Sequence, residues 1–444
     1  MVVAAPAPGC SYCPGIVVDP LRMGSPSFTI HRPEFTSIFR RILFLSEKLM
    51  HAYKHSLLSL DKRVSLLKII LSLGCFVGLL MSTRLWLSAR YYPLSPVIEK
   101  LPVISPPFDY ILFISGLALL ILIAIARRPF KYIAVFLLLA VFLSLSDQSR
   151  WQPWFYQYVF MLAAICFYSW DSSDVDKQKA LLNTCRLIVA TIYFWSGVQK
   201  INGSFVHRVF PSLVNPYFNF FFGVVNPFPP WLIILVPLFE ISIGIGLLTR
   251  KFRDVSVALA LMTHILVLLL LIPVRRNSVV WPWNVAMASF AVILFWRAKD
   301  FSMRDVLLPR QLGFQAVAMI LFGIMPLFSL FNLWDSYLSS TLYSGNIATA
   351  VIYVNESVKE RLPPGVQGHV QQSPSNGKFL INLNRWSLTE LNVPSYPEKR
   401  IFINITKRIC ADAQDASEVN LMIYGKPKWL NGYRETSTYN CSDL

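Results

Sequence analysis

Long apolar stretches separated by short polar loops fill the chain from about residue 66 to about residue 332. A helix needs about 20 predominantly apolar residues to cross a bilayer. Stretches near that length occur at nine positions: 66–83, 109–126, 131–146, 154–170, 181–198, 231–248, 255–273, 283–297 and 313–332. The pattern predicts an α-helical polytopic membrane protein with about nine spans.

The pattern changes after about residue 335, where short β-branched and apolar runs alternate with turn residues. Strands are predicted in the runs ATAVIYV (348–354), KFLINLN (378–384), RIFINIT (400–406) and VNLMIYG (419–425). A small C-terminal β-rich domain is therefore predicted at 336–444. Cys410 and Cys441 are its only cysteines, and they are the natural disulfide pair if the domain faces an oxidising compartment.

Basic residues set the predicted orientation, because loops rich in lysine and arginine stay in the cytoplasm. Alternate loops carry Arg127, Arg128 and Lys131; Lys177 and Lys179; Arg250, Lys251 and Arg253; Arg297, Lys299 and Arg304. Residues 1–63 are then a cytoplasmic N-terminal tail with an interfacial amphipathic helix, and residues 64–335 form the transmembrane bundle. An odd number of crossings makes the C-terminal domain extracytoplasmic. The membrane is the cell membrane in a bacterium and the endoplasmic reticulum in a eukaryote.

Composition supports a chain that lipid covers. Of its 444 residues, 55% are hydrophobic and 15% charged, and the mean hydropathy is +0.50. This leaves too little polar surface for a soluble protein of the same size. The formal net charge is +17, but no long basic run or recognition module accompanies it, so we do not expect nucleic acid as a partner. The predicted partners are the lipid bilayer and a lipophilic small molecule, whereas a protein partner is not identified.

Glu240 is a lone carboxylate about halfway along the apolar stretch LIILVPLFEISIGIGLL. An ionisable group is costly in hydrocarbon and rarely lies there without a partner or a water-filled cavity. One interpretation is a functional pocket inside the bundle. The alternative is a protonated acid that bonds a neighbouring helix, with Gly244 and Gly246 permitting close contact. Both interpretations predict that Glu240 faces inward.

Lys200 and His264 complete the candidate catalytic set. Lys200 follows Gly197 in IYFWSGVQKINGSF, where close helix approach and partial desolvation could turn its amine into a base. The alternative is a lysine that snorkels from a helix end. His264, about halfway along the next span, is either a proton relay or a structural histidine. It lacks a second histidine four residues away, so no metal site is predicted.

Two aromatic clusters, SDQSRWQPWFYQYVF (146–160) and VVWPWNVAM (279–287), fall at the outer interface in the predicted topology. Most tryptophans at such positions anchor helices in the interface. Polar neighbours also suit the clusters to a flat lipophilic ring that enters from the membrane. The residues predicted to bind such a molecule are Trp154, Tyr193, Trp195, Trp281 and Asn284.

Several of these segments resemble vitamin K-dependent γ-carboxylase and the bacterial horizontally transferred transmembrane domain proteins. YFWSGVQKINGSF resembles that family's YF-x-A-G-V-x-K segment, and DQSRWQPWFYQY resembles its loop with D-x-x-x-W followed by tyrosines. His264 with WPWNVAM, and the passage SSTLYSGNIATAVIYVNE, resemble further segments of the family. The similarity is patchy and covers about residues 70–360.

The resemblance implies that Lys200 is the base that deprotonates reduced vitamin K, and hence that a reduced quinone is the cofactor. Two departures argue against glutamate carboxylation itself. Asn202 to Phe205 replace the family's acidic residue and tryptophan after the lysine, and Trp154 stands where the carboxylase has a functional histidine. A second resemblance, to small DoxX-like membrane proteins, is carried by SGVQKI and FEISIGIGLLTR and implies a four-helix core with a lipophilic redox ligand.

The sequence therefore predicts a quinone- or lipid-handling membrane enzyme in which Lys200 is the base and Glu240 and His264 tune it or relay protons. The competing prediction is a non-enzymatic, DoxX-like component or scaffold that presents the extracytoplasmic domain to a partner. An enzyme requires the three side chains to converge on a cavity open to lipid. A scaffold should show them dispersed or tightly packed.

Overall fold

The computed structural model describes residues 58–98, 101, 103–168, 174–274, 277–308, 313–373, 377–428 and 432–444. The predicted cytoplasmic tail, 1–63, and its interfacial helix lie almost entirely outside the described residues. Apart from residues 372–377, the described residues belong to one compact unit that contains both the helices and a small sheet.

Helices dominate the described part of the chain. The longer ones are α1 (Leu60–Met81), α2 (Phe108–Ile125), α3 (Phe130–Ser146), α4 (Pro153–Phe167), α5 (Val175–Lys200), α6 (Phe210–Phe222), α7 (Pro230–Leu248), α8 (Arg253–Leu271), α9 (Val280–Phe295), α10 (Phe314–Phe331), α11 (Leu383–Leu391) and α12 (Lys399–Cys410). Within α10, residues Met319–Ile324 are π-helical. Short helical segments occupy Thr83–Trp86, Gln148–Arg150, Phe205–Val209, Met303–Leu307, Tyr337–Ser339, Glu356–Arg361, Pro364–Gln367, Ala416–Glu418 and Cys441–Asp443.

Six of the described helices, α1, α2, α5, α7, α8 and α10, are long and apolar enough to cross a membrane. The apolar helices α3, α4 and α9 are shorter, with 17, 15 and 16 residues. At about 1.5 Å per residue, 16 residues cover about 24 Å, less than the hydrocarbon core of about 30 Å. Length and composition therefore give six candidate spans, and the predicted spans at 131–146, 154–170 and 283–297 coincide with the three shorter helices.

The central helix α5 is 26 residues long and buried over most of its surface. It packs closely against α7 at two glycines. A Cβ atom added to Gly197 would lie 2.5 Å from the carbonyl oxygen of Pro237, and one added to Gly244 would lie 2.8 Å from that of Ala190. Real side chains do not tolerate such distances to backbone. The prediction that Gly197 and Gly244 permit close helix contact is confirmed.

Three buried arginines, Arg63, Arg186 and Arg253, bind the carboxyl ends of α7 and α9. Arg63 and Arg186 donate to carbonyls at the end of α9, and Arg253 donates to carbonyls at the end of α7. The guanidinium groups of Arg186 and Arg253 lie 3.9 and 3.7 Å from the centre of the Phe301 ring. Cations stabilise the negative ends of helix dipoles, so these arginines fix the two helix ends.

The C-terminal part contains a five-stranded sheet with strand order β2-β3-β1-β4-β5. Its strands are β1 (Thr349–Val354), β2 (Val370–Gln372), β3 (Phe379–Asn382), β4 (Val419–Tyr424) and β5 (Thr436–Asn440). β1 pairs antiparallel with β3 and with β4, which places Ile352 opposite Ile381 and Leu421. All three side chains are fully buried. α11 packs on β1 and α12 packs on β4. The predicted small sheet is confirmed, and two helices pack against it.

One of the four predicted strands is wrong, because RIFINIT (400–406) lies within α12. The alternation of Ile401, Ile403 and Ile405 looks like a strand. The buried apolar side chains of this helix, however, are Ile401, Phe402, Ile405 and Ile409. That spacing follows one face of a helix, and Ile403 is only partly buried.

The sheet domain docks on one end of the bundle, which we call the sheet side. Glu390 of α11 accepts a hydrogen bond from the backbone N–H of Tyr92 at 3.0 Å. Asn392 donates to the carbonyl oxygen of Met81, the last residue of α1, at 2.8 Å. The docking therefore uses a carbonyl at the end of α1, where intrahelical partners run out, and a backbone N–H in the connection between α1 and α2.

Candidate functional site

Lys200 and Glu240 form an ion pair between α5 and α7. The Nζ atom of Lys200 lies 2.6 Å from Oε2 of Glu240. The same ammonium donates to the hydroxyl of Ser196 at 2.6 Å and to the Ser196 carbonyl oxygen at 3.4 Å. The Ser196 hydroxyl in turn donates to Glu240 Oε2 at 3.0 Å. The three side chains therefore close a hydrogen-bonded triangle.

The local helix geometry explains how the triangle forms. Lys200 is the last residue of α5 and follows Ser196 by four positions, so both side chains project from the same face. Gly197, beside Ser196, is where α5 touches the backbone of α7 at Pro237. Glu240 lies three residues, or almost one turn, after Pro237. The glycine contact thus brings the carboxylate within reach of the ammonium.

The two carboxylate oxygens of Glu240 differ in their environment. Oε2 accepts hydrogen bonds from both Lys200 and Ser196. Oε1 accepts none from the residues that the structure describes. The side chains of Lys200 and Glu240 keep 10% and 13% of their surface exposed, so the pair lies at the edge of the packed interior. An ionised carboxylate has about four acceptor sites, and Glu240 therefore retains capacity to accept a proton or a hydrogen bond.

His264 lies in a second polar chain, which links α5, α8 and α9. The hydroxyl of Tyr193 is 2.6 Å from His264 Nε2, and His264 Nδ1 is 2.8 Å from Asn284 Oδ1. The amide nitrogen of Asn284 donates to the Val280 carbonyl at 2.8 Å, which leaves its oxygen to accept. Because this oxygen can only accept, Nδ1 of His264 carries a proton, and in the neutral form of the imidazole Nε2 accepts from the Tyr193 hydroxyl.

The ion pair and the histidine chain lie next to each other. Tyr193, Ser196 and Lys200 share one face of α5 because they are spaced by three and four residues. Seven residues, or about 10.5 Å of helix, separate Tyr193 from Lys200. Glu240 is close enough to interact electrostatically with Tyr193 and with His264. The structure thus brings the three predicted catalytic residues into one region, as a pair and a neighbouring chain.

The residues predicted to bind a lipophilic ligand lie in different parts of the bundle. Trp195 is buried and donates its indole N–H to the carbonyl of Gly323 in α10 at 3.0 Å. Trp154 is buried on α4, and a Cβ atom on Gly78 of α1 would lie 2.9 Å from its ring. Trp281 is partly buried in the first turn of α9. Of the five predicted ligand-binding residues, Tyr193 and Asn284 are the two that hydrogen bond with His264.

Two polar contributions were not predicted from the sequence. The bridging role of Ser196 could have been found, since a hydroxyl four residues before a lysine on a helix lies beside it. Gln199 Oε1 accepts a hydrogen bond from Asn346 at 2.6 Å and so ties the end of α5 to the segment before β1. No local sequence signal joins residues so far apart in the chain.

A further polar cluster lies at the junction between the bundle and the sheet domain. Lys426 donates to the carbonyl of Ser329, near the end of α10, at 2.6 Å. Glu398 accepts from the backbone N–H of Ser336 at 2.8 Å. Burial lowers the pKa of Lys426 and raises the pKa of Glu398. Both groups bond backbone at the junction, so we interpret the cluster as a docking contact.

The described part of the chain contains five cysteines. Cys410 and Cys441 are joined by a disulfide, which confirms the predicted pair. Cys75 and Cys185 are buried free thiols. Within the described ranges, no three His, Cys, Asp or Glu side chains are grouped as a metal site would require.

Comparison of the chain with protein-family models, with curated proteins and with solved structures gave no match. The resemblance to γ-carboxylase-like and DoxX-like proteins therefore stays a prediction from short motifs. The interpretation of the site rests on its geometry.

Proposed function

We propose that this protein is an integral membrane enzyme that handles a quinone or another lipophilic molecule with an acidic hydroxyl. Lys200 and Glu240 would be its proton-accepting pair. The observation that carries the proposal is a carboxylate paired with a lysine, near the surface of an apolar bundle, that keeps one oxygen without a donor among the described residues. Ionisable groups in membrane helices commonly mark functional sites.

The proposed topology has nine crossings, a cytoplasmic N-terminus and an extracytoplasmic sheet domain. Its support is the direction of the helices, since α1 and α5 both end at the sheet side, where Asn392 binds Met81 and Asn346 binds Gln199. The basic loops lie at the opposite helix ends, as expected for cytoplasmic loops. The disulfide suits an oxidising compartment. The short helices α3, α4 and α9 would cross with the longer ones.

The proposed chemistry follows from counting protons. Lys200 and Glu240 together share one acidic proton and carry no net charge, whichever of the two holds it. The pair can take a second proton from a hydroxyl that approaches Glu240 Oε1, because the ligand O–H bond breaks as an O–H bond forms on the pair. The ammonium of Lys200 then lies beside the oxygen left negative, and a low dielectric strengthens this attraction. No electron moves in this step.

A reduced quinone fits these requirements, since it supplies a phenolic hydroxyl and, once deprotonated, a readily oxidised ring. Tyr193 and His264 would serve as positioning and proton-relay groups next to Glu240. The neutral His264 offers Tyr193 an acceptor, and Asn284 holds the imidazole in the tautomer that makes this possible. When Glu240 holds the shared proton, the amine of Lys200 is neutral, and Lys200 is then the base.

Lys200→Met tests the proposal. We expect the variant to lose any quinone or lipid that co-purifies in mild detergent, as identified by mass spectrometry. Turnover of a reduced short-chain quinone should fall about 10²–10⁴-fold, the usual contribution of a general base. Thermal stability should change much less than turnover.

Lys68→Met is the matched control, because it makes the same change at a lysine of another candidate span. Lys68 donates to the Ala126 carbonyl at 2.5 Å and lies in α1. We expect this variant to keep the co-purified molecule and the turnover. Unchanged ligand and turnover in Lys200→Met, or equal losses in both variants, would contradict the proposal.

The second candidate function is the non-enzymatic scaffold, and one observation favours it. Lys200 makes three hydrogen bonds, all to Ser196 and Glu240, as a pair that only joins two helices would. The double variant Lys200→Met with Glu240→Leu separates the two functions, because it replaces the pair with apolar groups of similar size. Retained ligand and turnover would assign the pair to helix packing. A stable protein that lacks both supports the enzyme.

A further inference from the structure

The segment 201–234, which connects α5 to α7, has a composition unlike that of the other loops. It contains seven phenylalanines and a tryptophan, and it lacks Asp and Glu. Its only basic side chains are His207 and Arg208, both exposed. Aromatic residues combined with a few cations are typical of segments that lie in the membrane interface.

This segment folds into a compact hairpin. α6 ends at Gly223, whose φ of 66° is the left-handed conformation that commonly terminates helices. The side chain of Asn215 bonds the backbone N–H and the side chain of Asn226, both at 2.9 Å, and so closes the turn. We call residues 205–231 the aromatic hairpin.

One face of the aromatic hairpin has its own small core. Phe205 and Val206 are buried with Ile233 in a cluster separate from the main core of the protein. The ring of Phe228 lies 5.9 Å from that of Phe210 and 5.1 Å from that of Phe218. The hairpin is therefore a folded element and holds its shape through its own aromatic contacts.

The aromatic hairpin also carries large apolar side chains that are at least half exposed. Their exposed fractions are 50% for Phe220, 57% for Phe221, 71% for Phe222, 59% for Val225 and 69% for Trp231. A contiguous apolar patch on a protein surface marks an interaction site. The position of the hairpin in the molecule indicates what covers these exposed side chains.

The hairpin lies at the sheet side, at the level where three candidate spans begin or end. Four residues separate its start from the end of α5, and it includes Pro230 and Trp231, the first two residues of α7. The hydroxyl of Tyr217 donates to the carbonyl of Leu270, in the last turn of α8, at 2.6 Å. Arg434 of the sheet domain donates to the hydroxyl of Ser204 at 3.3 Å, just before the hairpin. The exposed apolar side chains therefore lie near the ends of apolar helices that are candidate spans.

We propose that the aromatic hairpin inserts Phe220, Phe221, Phe222 and Trp231 among the lipids of the leaflet at the sheet side. Lipid is the occupant that fits, because the patch adjoins the ends of membrane helices and carries no acidic group. Exposed His207 and Arg208 lie in the same hairpin and suit contact with phosphate head groups. The hairpin is then an interfacial anchor between the bundle and the sheet domain.

Fluorescence quenching tests the proposal in the full-length protein reconstituted in phosphatidylcholine vesicles. Cys10, Cys13, Cys75, Cys166 and Cys185 are first replaced by alanine, and the disulfide is kept. Phe221→Cys, Trp231→Cys and Ser437→Cys are then labelled one at a time with an environment-sensitive fluorophore. Ser437 is exposed on β5 of the sheet domain and is the matched control. Quenchers are lipids with a nitroxide on the acyl chain and, separately, aqueous iodide.

We expect acyl-chain nitroxides to remove most of the fluorescence at positions 221 and 231, and iodide to have little effect there. The control at position 437 should show the reverse. Quenching of positions 221 and 231 by iodide alone would place the hairpin in water and overturn the proposal. Protection from both quenchers would also overturn it, since a protein partner or a second copy would then cover the patch. Melting temperatures near that of the parent protein confirm that labelled variants are folded.

Discussion

Two acid–base pairs in this protein show how differently a buried carboxylate can be used. Asp147 accepts from Arg90 on one oxygen and from the backbone N–H groups of Ser95 and Ser149 on the other, and the side chains of the Arg90–Asp147 pair are fully buried. Glu240 pairs with Lys200 through one oxygen and keeps the other without a described donor. The Asp147 carboxylate is saturated, because both of its oxygens accept hydrogen bonds. Among the described residues, only one oxygen of Glu240 does so.

The cations differ as well. Arginine stays charged at any ordinary pH, so the charge of Arg90 needs its partner permanently. Lysine can release its proton when it is desolvated. The Arg90–Asp147 pair therefore has a structural role between the α1–α2 connection and the end of α3. The proposed function requires the Lys200–Glu240 pair to exchange a proton, and a lysine suits that role better than an arginine.

Asp147→Asn should have the largest effect. It removes the charge that compensates the buried guanidinium of Arg90, and breaking a buried pair costs about 3–5 kcal/mol of unfolding free energy. The measurement is unfolding in mild detergent of a protein in which Cys10, Cys13 and Cys166 are replaced by alanine. Unfolding is followed by the reaction of a thiol-specific fluorophore with Cys75 and Cys185, which are fully buried in the folded protein.

Asp109→Asn is the control for this change. Asp109 is also buried, but its carboxylate binds the backbone N–H and the hydroxyl of Ser88. Loss of a charge-assisted hydrogen bond costs about 1.5–3 kcal/mol at most, so this variant should be the more stable of the two. If Asp147→Asn is the more stable, the charge of Arg90 does not need Asp147.

Gly197→Ala should have the next largest effect, because the Lys200–Glu240 pair depends on a helix contact that the Arg90–Asp147 pair does not use. The added Cβ atom would lie 2.5 Å from the Pro237 carbonyl oxygen. Overpacking of this kind costs about 1–3 kcal/mol. Thermal unfolding should show the loss, and a co-purified ligand should be lost with it.

Gly116→Ala provides the comparison for Gly197→Ala. Its added Cβ atom would meet only a side-chain atom of Leu139, at 3.5 Å, so the better helix propensity of alanine should stabilise α2 by up to about 1 kcal/mol. Equal stability of the two variants would mean that α5 and α7 tolerate a wider spacing.

Glu240→Gln should cost less than Asp147→Asn, about 1 kcal/mol, because the amide oxygen can still accept hydrogen bonds from Lys200 and Ser196 and this pair is less buried than Arg90–Asp147. The free oxygen of Glu240 would no longer be a base, so reduced-quinone turnover should fall as in Lys200→Met. A loss of 3–5 kcal/mol, the figure for a broken buried pair, would show that Lys200 stays charged and that the two pairs are alike.

The comparison also shows what the sequence could reveal. Glu240 could be found because a carboxylate in an apolar helix is conspicuous, and Gly197 and Gly244 could be found because small residues mark close helix contacts. A run of ten or more mostly apolar residues is enough to predict a helix. This is why α1 to α5 and α7 to α10 lie near their predicted positions.

The hydrogen-bond partners of each carboxylate could not be predicted from the sequence, because the donor groups come from distant parts of the chain. Asp147 and Arg150 are polar neighbours in the aromatic cluster 146–160, where the sequence suggests that a lipophilic ring enters from the membrane. Asp147 instead binds Arg90, and Arg150 binds the carbonyls of Leu85, Leu143 and Trp86. The helix α12 was missed for a related reason, because alternation at Ile401, Ile403 and Ile405 does not reveal which of the three is buried.

Glu418 gives the smallest expected effect and extends the comparison to the surface of the sheet domain. It is saturated like Asp147 but keeps 15% of its side-chain surface exposed. Its Oε1 is bound by Ser357, and its Oε2 by Arg361 and the backbone N–H of Gln414. These bonds, the Gln414 N–H first, lower the pKa of Glu418 to about 2 from 4.5. A lowered pKa in the folded state contributes stability above the unfolded pKa, and this contribution is lost as pH falls toward the folded one.

Glu418→Gln should therefore lower the melting temperature slightly at pH 7, and the difference from wild type should shrink as pH falls from 4.5 to about 2. Circular dichroism of the full-length protein in detergent measures both melts. Glu360→Gln, at an exposed glutamate of the same domain, should show no difference at either pH. A difference between Glu418→Gln and wild type that is constant with pH would mean that the ionised carboxylate contributes nothing. A full set of hydrogen bonds would then make a carboxylate stabilising only where it is also buried, as at Asp147.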